Sequence, residues 1–138
     1  MGRMMEKFKF LEHTADIKFQ AYGKSIEEAF ENSALAMFNC MYDKKVQRKI
    51  KKKIKVKGKD NESLLYNFLE ELLFLLDTEN FFLSSVKVKI KGFELQASLE
   101  GDKAKSYEIH LDVKAVTYNE MFVKKQGNKF ICQVVVDV

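Results

Sequence analysis

Glu12, His13 and Asp16 crowd into five positions of FLEHTADIKF, residues 10–19, and another aspartate, Asp137, stands one residue from the carboxyl end in VVVDV. A charge inside an apolar run is costly unless it is paired, solvated or bound to a cation. Asp137 therefore has two readings, a frayed end in water or a ligand. Asp16 also has two, because with Thr14 it can organise a tight turn before the following strand. If the first and last strands lie side by side, both aspartates and the terminal carboxylate of Val138 converge, and their shared negative field recruits a cation. An all-oxygen set of this kind favours calcium or magnesium over zinc or copper, which prefer nitrogen and sulfur.

A second group lies in YEIHLDVKAVTY, residues 107–118, where His110, Asp112 and Lys114 share one face of an expected strand. Lys114 either pairs with Asp112 or offers a cation to a phosphate or to a partner's active site. His13 and His110 have the bland reading of hydrogen-bonded structural imidazoles, with a secondary functional reading kept for His13. A glycine-rich phosphate loop, an HExxH pair and a GxSxG elbow are all missing. A self-standing hydrolase is disfavoured, since no nucleophile, base and oxyanion-binding set can be assembled.

These residues need elements to hold them. Ile17, Phe19 and Ala21 alternate with Lys18 and Gln20, the two-residue period of a half-buried strand. Ser25 with Glu28 three places on marks a helix start. Ile26, Ala29, Phe30, Ala34, Met37, Phe38 and Met41 continue at helical spacing. A second helix is expected over residues 60–79, capped by Asp60, Asn61 or Ser63 and carrying a broad leucine and phenylalanine stripe. Its acids could sit beside the basic segment that precedes it. Further strands are expected with Val86, Val88 and Ile90 inward, then Phe93, Leu95, Ala97 and Leu99, then Ile109, Leu111, Val113 and Ala115. Gly101-Asp102 and Gly127-Asn128 read as turns. FICQVVVDV, apolar on both faces, suits a central strand. The order implies an α+β, two-layer single domain over residues 1–138, mostly antiparallel, with two amphipathic helices packed on the sheet. Residues 1–5 are expected to be held loosely.

The chain has 138 residues and 46% hydrophobic content, enough for one buried core. Its net charge of +4 is unevenly placed. QRKIKKKIKVKGK, residues 47–59, holds eight Lys and Arg and no acid, so the other 125 residues carry 16 bases against 20 acids. Ile50, Ile54 and Val56 alternate with lysines there, which reads either as a solvated strand face or as a phosphate-contacting surface. Base stacking needs aromatics interleaved with the cations, and the segment has none. Cys40 and Cys132 both lie in apolar stretches without zinc-like spacing and read as core residues. No apolar run is long enough for a membrane span and no secretory leader is evident, which gives a cytoplasmic expectation.

Taken together, EHTADIKFQAYG, LLYNFLEELLFLLD, VKAVTYNEM and VVVDV resemble the archease family in order and spacing over nearly the whole chain. The resemblance implies a small α+β protein that is not itself a catalyst. It would be a cofactor of the tRNA-splicing RNA ligase, promoting guanylylation of that enzyme's active-site histidine, speeding turnover and broadening nucleotide use. By resemblance, Asp16, Asp137 and the carboxyl terminus at Val138 are metal ligands. Calcium is the usual ion, with magnesium or another divalent cation as the alternative, and Lys114 matches the lysine needed for activation. RNA would be met indirectly, through the ligase complex. Asn119 departs from the pattern, standing where many members carry histidine, and retains only an amide for hydrogen bonding. The competing readings are a direct RNA-binding module and a chaperone-like modulator of RNA-processing enzymes.

Overall fold

The computed structural model describes residues 6–12 and 16–138; residues 1–5 and His13 fall outside the described residues. Among them the elements run β1 (Phe8–Leu11), β2 (Ile17–Gly23), α1 (Ile26–Asn39), β3 (Ile50–Lys57), α2 (Asn61–Glu79), β4 (Phe81–Lys91), β5 (Glu94–Lys103), β6 (Ala115–Gln126) and β7 (Lys129–Asp137). The strands pair antiparallel in two sheets, ordered β1-β2-β7-β6 and β3-β5-β4. Helix α1 packs on β2, β7 and β4, and α2 on β6, β4 and β3, so each helix joins both sheets into one α+β domain.

Local chemistry sets the helix ends. The Ser25 hydroxyl accepts the Glu28 N–H at 3.1 Å, and the Glu28 carboxylate reaches back to the Lys24 N–H at 2.7 Å. In α2 the Asp60 carboxylate accepts the Ser63 N–H at 2.7 Å while the Ser63 hydroxyl accepts the Asp60 N–H at 3.1 Å, a reciprocal cap. Asn80, with φ 57°, closes α2 in the left-handed conformation. The apolar stripes meet where Phe30 of α1 stacks on Phe68 of α2, ring centroids 6.2 Å apart.

Strands β4 and β6 are sheet edges, where unpaired backbone groups invite stray pairing. Helix glutamates cover them. Glu31 accepts the Val88 N–H at 2.8 Å, Glu70 the Val116 N–H at 2.7 Å, and Glu62 the Val123 N–H at 3.1 Å. Among the described residues the acids of α2 thus serve strand β6 more than the basic segment, to which Glu79 pairs through Lys52. Glu70→Ala would leave the buried Val116 without its backbone partner and destabilise the protein by about 1–3 kcal/mol. Urea unfolding measures this directly.

Several sequence expectations shift. Strand β1, which was not anticipated, pairs with β2. Phe93, expected inward, is 47% exposed because it sits with Gly92, φ 64°, in the two-residue turn between β4 and β5. Gly101-Asp102 is no turn but lies buried inside β5. A Cβ at Gly101 would stand 2.1 Å from the Phe82 carbonyl oxygen, so glycine is required there for close approach rather than for chain reversal. Asp102 accepts the Tyr107 hydroxyl at 2.7 Å and the Lys103 N–H at 2.8 Å. These bonds, Tyr107 first, hold its carboxyl below the ordinary value. Stability from Asp102 is therefore present above its unfolded pKa of about 4 and lost as pH falls through the lower folded value. Asp102→Asn should flatten that acid limb, as thermal melts between pH 2 and pH 6 would record.

The strand expected over residues 107–118 begins only at Ala115. The preceding residues run irregularly, the His110 N–H bonding the Met41 carbonyl at 3.2 Å instead of a sheet partner. Of the inward set named for it, Val113 is buried, while Ile109, Leu111 and Ala115 are half-buried and the core position passes to Val116. Gly127, φ 62°, does make the expected turn, between β6 and β7. Cys132 is buried and Cys40 half-buried, and both are free thiols.

Candidate metal and partner-contact corner

Asp16 and Asp137, singled out at the two ends of the chain, lie at one end of the larger sheet. Strand β7 is central and lies between β2 and β6. The pairing Ile17↔Val136 places Asp16 and Asp137 one step further on, on neighbouring strand ends. On the other side Asp137 pairs with Ala115, and the Lys114 N–H donates to the Asp137 carbonyl at 2.8 Å. Three segments distant in sequence thus bring Asp16, Asp137, Val138 and Lys114 to a single corner.

Alternation explains why this corner is polar. Phe19, Val134 and Val136 turn toward the helices and are fully buried, so residues of opposite parity face away from them. Asp137 and Lys114 are exposed and Asp16 is partly exposed, while Val138 packs its side chain against the edge of the core. Asp16 precedes the first residue of β2 and Asp137 ends β7, so the two stand at neighbouring strand ends just past the Ile17↔Val136 pair.

The donor chemistry fits a hard cation. Among the described residues no three His, Cys, Asp or Glu side chains come within metal-binding reach of one another. What the corner offers in side chains is two aspartates, with Val138 following Asp137. Calcium takes about 6–8 oxygen ligands, so an ion held here would keep several positions for water or for groups brought by a partner. His13 lies outside the described residues and is not placed. His110 and Asp112 are exposed on the irregular segment before β6.

Several features in and around the corner were not found from sequence. Lys18, two residues beyond Asp16, pairs with Glu120 at 3.0 Å. Glu120 lies in a bulge of β6 between Thr117 and Phe122, with φ 56°, and its carbonyl accepts the Gln133 side-chain amide at 2.8 Å. Asn119 sits in the same bulge, exposed, its N–H 3.3 Å from the Thr117 hydroxyl. The bulge also carries Tyr118, stacked on Tyr66 of α2 at 4.2 Å. Glu70 fixes the start of β6 from α2, and so acts on the position of Lys114 through the backbone. The unusually polar spacing of Glu62 and Glu70 within the leucine stripe was the available signal for the last of these.

Comparison with known proteins follows the same geometry. The model of the Archease protein family (MTH1598/TM1083) matches residues 8–138. The chain is 40% identical to "Protein archease" of Methanosarcina barkeri, covering 100% of both chains, and 42% identical to that of Sulfurisphaera tokodaii, covering 97% of this chain and 100% of the relative. The solution structure of protein 1598 from Methanobacterium thermoautotrophicum superposes with a TM-score of 0.81 at 35% identity, over 97% of this chain and 100% of that one. A Thermotoga maritima crystal structure, described as an archease and possible chaperone, shares the fold with a TM-score of 0.69 at 20% identity, over 99% of this chain and 100% of that one. With relatives matched from end to end and the family model spanning both aspartates and the lysine, the chain belongs to the archease family.

Proposed function

We propose that the protein is an activator of the tRNA-splicing RNA ligase, acting through the corner formed by Asp16, Asp137, Val138 and Lys114. The observation that carries this reading is the convergence of the β2, β6 and β7 ends, which makes one charged surface from parts of the chain about a hundred residues apart. A metal bound there would be a divalent cation, calcium by preference, supplying a concentrated positive charge that orders the carboxylates and attracts phosphate oxygens. Asp16, Asp137 and the terminal carboxylate would hold it, and Lys114 would offer its ammonium to phosphate or to an acidic group of the ligase.

Guanylylation joins the ligase histidine nitrogen to the α-phosphorus of GTP and releases pyrophosphate. Such transfers depend chiefly on alignment and on stabilising charge in the transition state. A helper can supply both without forming a covalent bond. The paired ends of β2, β7 and β6 suit that task, since they anchor the adjoining Asp16 and Lys114 and the strand residue Asp137 to regular structure, which holds a site more firmly than a loop does. The reading assigns the protein no catalytic turnover of its own.

Lys114→Ala should reduce stimulation of multiple-turnover ligation of 3′-phosphate and 5′-hydroxyl RNA ends by about tenfold, a loss in keeping with one transition-state interaction. Lys44→Ala, an exposed lysine outside the corner, should leave it unchanged. Equal stimulation by wild type and Lys114→Ala would remove the lysine from the account.

A further inference from the structure

Nothing in the acidic corner uses the basic segment, yet the fold gives that segment a definite shape. In the smaller sheet, Lys53 pairs with Ser98 and Ser98 with Lys87; the next row is Lys55, Gln96 and Lys89. The apolar partners Ile54, Leu95, Ala97 and Val88 turn toward the helices and are buried. All six polar residues are exposed on the outer face. Residues far apart in sequence, on β3 and β4, thus make two parallel rows of lysine on either side of a polar floor. The hollow between them has a volume of about 510 Å³.

The charges are not consumed by the protein. The flanking rows contain acids, Glu100 opposite Lys51 and Glu94 opposite Lys57, and Lys57 pairs with Glu94 at 3.2 Å. Among the described residues Lys53, Lys55, Lys87 and Lys89 have no ion-pair partner. A solvated edge strand needs only one row of lysine to discourage pairing. Both β3 and β4 are edges of this sheet, but β4 is already covered at Val88 by Glu31, and edge protection does not require the two rows to face one side across a neutral Ser and Gln strip. At one end the basic surface continues into a second hollow lined by Lys51, Lys53, Lys87 and Arg48.

We propose that the outer face of the β3-β5-β4 sheet binds the phosphodiester backbone of single-stranded RNA, with Lys53, Lys55, Lys87 and Lys89 contacting phosphates and Gln96 and Ser98 bonding to phosphate or sugar oxygens. Along a strand the lysines recur about every 6.8 Å, and the two rows stand about 9.5 Å apart. That trough admits one extended backbone between the rows. The floor has no aromatic side chain, so contact is through charge and independent of base sequence. The face lies on a different sheet from the acidic corner, and its binding of RNA does not depend on ligase activation.

The test uses the full-length protein, EDTA and no ligase, so its outcome is separate from that of the ligase reading. Fluorescence anisotropy with a labelled 12-nucleotide oligouridylate should show binding whose log K falls against log salt with a slope of about −3, from four phosphates at about 0.7 each. Replacing Lys53, Lys55, Lys87 and Lys89 together by Gln should weaken binding at low salt at least tenfold and flatten the slope. Arginine at the same four positions should preserve binding, which separates loss of charge from damage to the strands. A charge-matched control with Lys9, Lys24, Lys105 and Lys125 changed to Gln should bind within about twofold of wild type, since all four proposed phosphate contacts are retained in it. The proposal is overturned by no measurable oligouridylate binding, by equal loss in the control, or by failure of the arginine variant to bind. It is overturned equally by poly-L-glutamate saturating the face at lower charge concentration than the RNA, which would identify an acidic protein as the partner.

Discussion

Asp16→Asn or Asp137→Asn is expected to weaken calcium binding by at least about 100-fold while leaving the fold intact. The size follows from the small donor set. The proposed ligand set is small, Asp16, Asp137 and Val138, so either substitution would remove a large part of the field proposed to hold the ion, and even indirect damage to a metal site costs about 10–100-fold. The fold survives because both residues lie beyond the last residues paired between β2 and β7, half-buried Ile17 and buried Val136, and neither side chain belongs to the core. Calorimetric titration of calcium into wild type and each variant measures the loss. A thermal melt adds an independent reading, because ligand at 100 times its dissociation constant raises stability by about 2.7 kcal/mol. That increment should be present in the wild type and missing from both variants. Calcium binding undiminished by either change would take the carboxylates off the ligand set.

The second large effect concerns the joint between the helices. Phe68→Ala should destabilise the protein by about 3–5 kcal/mol, the range for deleting a buried aromatic ring. Phe68 has no exposed surface and stacks on Phe30 with the ring planes 19° apart. Each helix touches both sheets, so a cavity at their contact loosens the element that ties the larger sheet to the smaller one. Phe74 lies on the same helix but is 56% exposed, and Phe74→Ala should cost far less. Urea unfolding of the two variants side by side separates the buried ring from the exposed one. Near-equal midpoints would mean that the helix contact carries little of the stability.

The contrast between these residues shows what the chain reveals before its fold is known. Phe68 declares itself by helical spacing within the leucine stripe, and the Ser25 and Asp60 caps mark the helix starts, because these signals act over three or four residues. Alternation likewise marks Ile17–Gly23 and Ile50–Lys57 as strands and the doubly apolar β7 as central. Long-range events were less legible. Gly101-Asp102 has turn composition, yet the close approach of Phe82 from β4 keeps it inside a strand. Residues 107–114 alternate like a strand, yet a partner for them is lacking until Ala115 meets Asp137.

The acidic corner falls between these cases. Asp16 and Asp137 attract notice as charges beside apolar runs, but their adjacency depends on β7 lying against β2, which no local pattern dictates. Lys114 stands out as a lysine within a strand-like segment, whereas its fixed position comes from the bond to Asp137 and from Glu70 holding Val116. The opposing lysine rows of the smaller sheet are another such case. Only one row, on β3, belongs to a visible charge block, and the other becomes its neighbour through the intervening strand β5. The Lys18–Glu120 pair depends in turn on a bulge whose left-handed residue is a glutamate rather than the glycine that would have advertised it.

The most direct measurement is single-turnover transfer of label from α-³²P GTP to the ligase histidine, with calcium present, using wild-type protein and the Asp16→Asn/Asp137→Asn double variant. Acceleration by the wild type and a return to the unassisted rate with the folded double variant is the predicted result. Equal acceleration by both proteins would contradict the assignment of ligase activation to this corner.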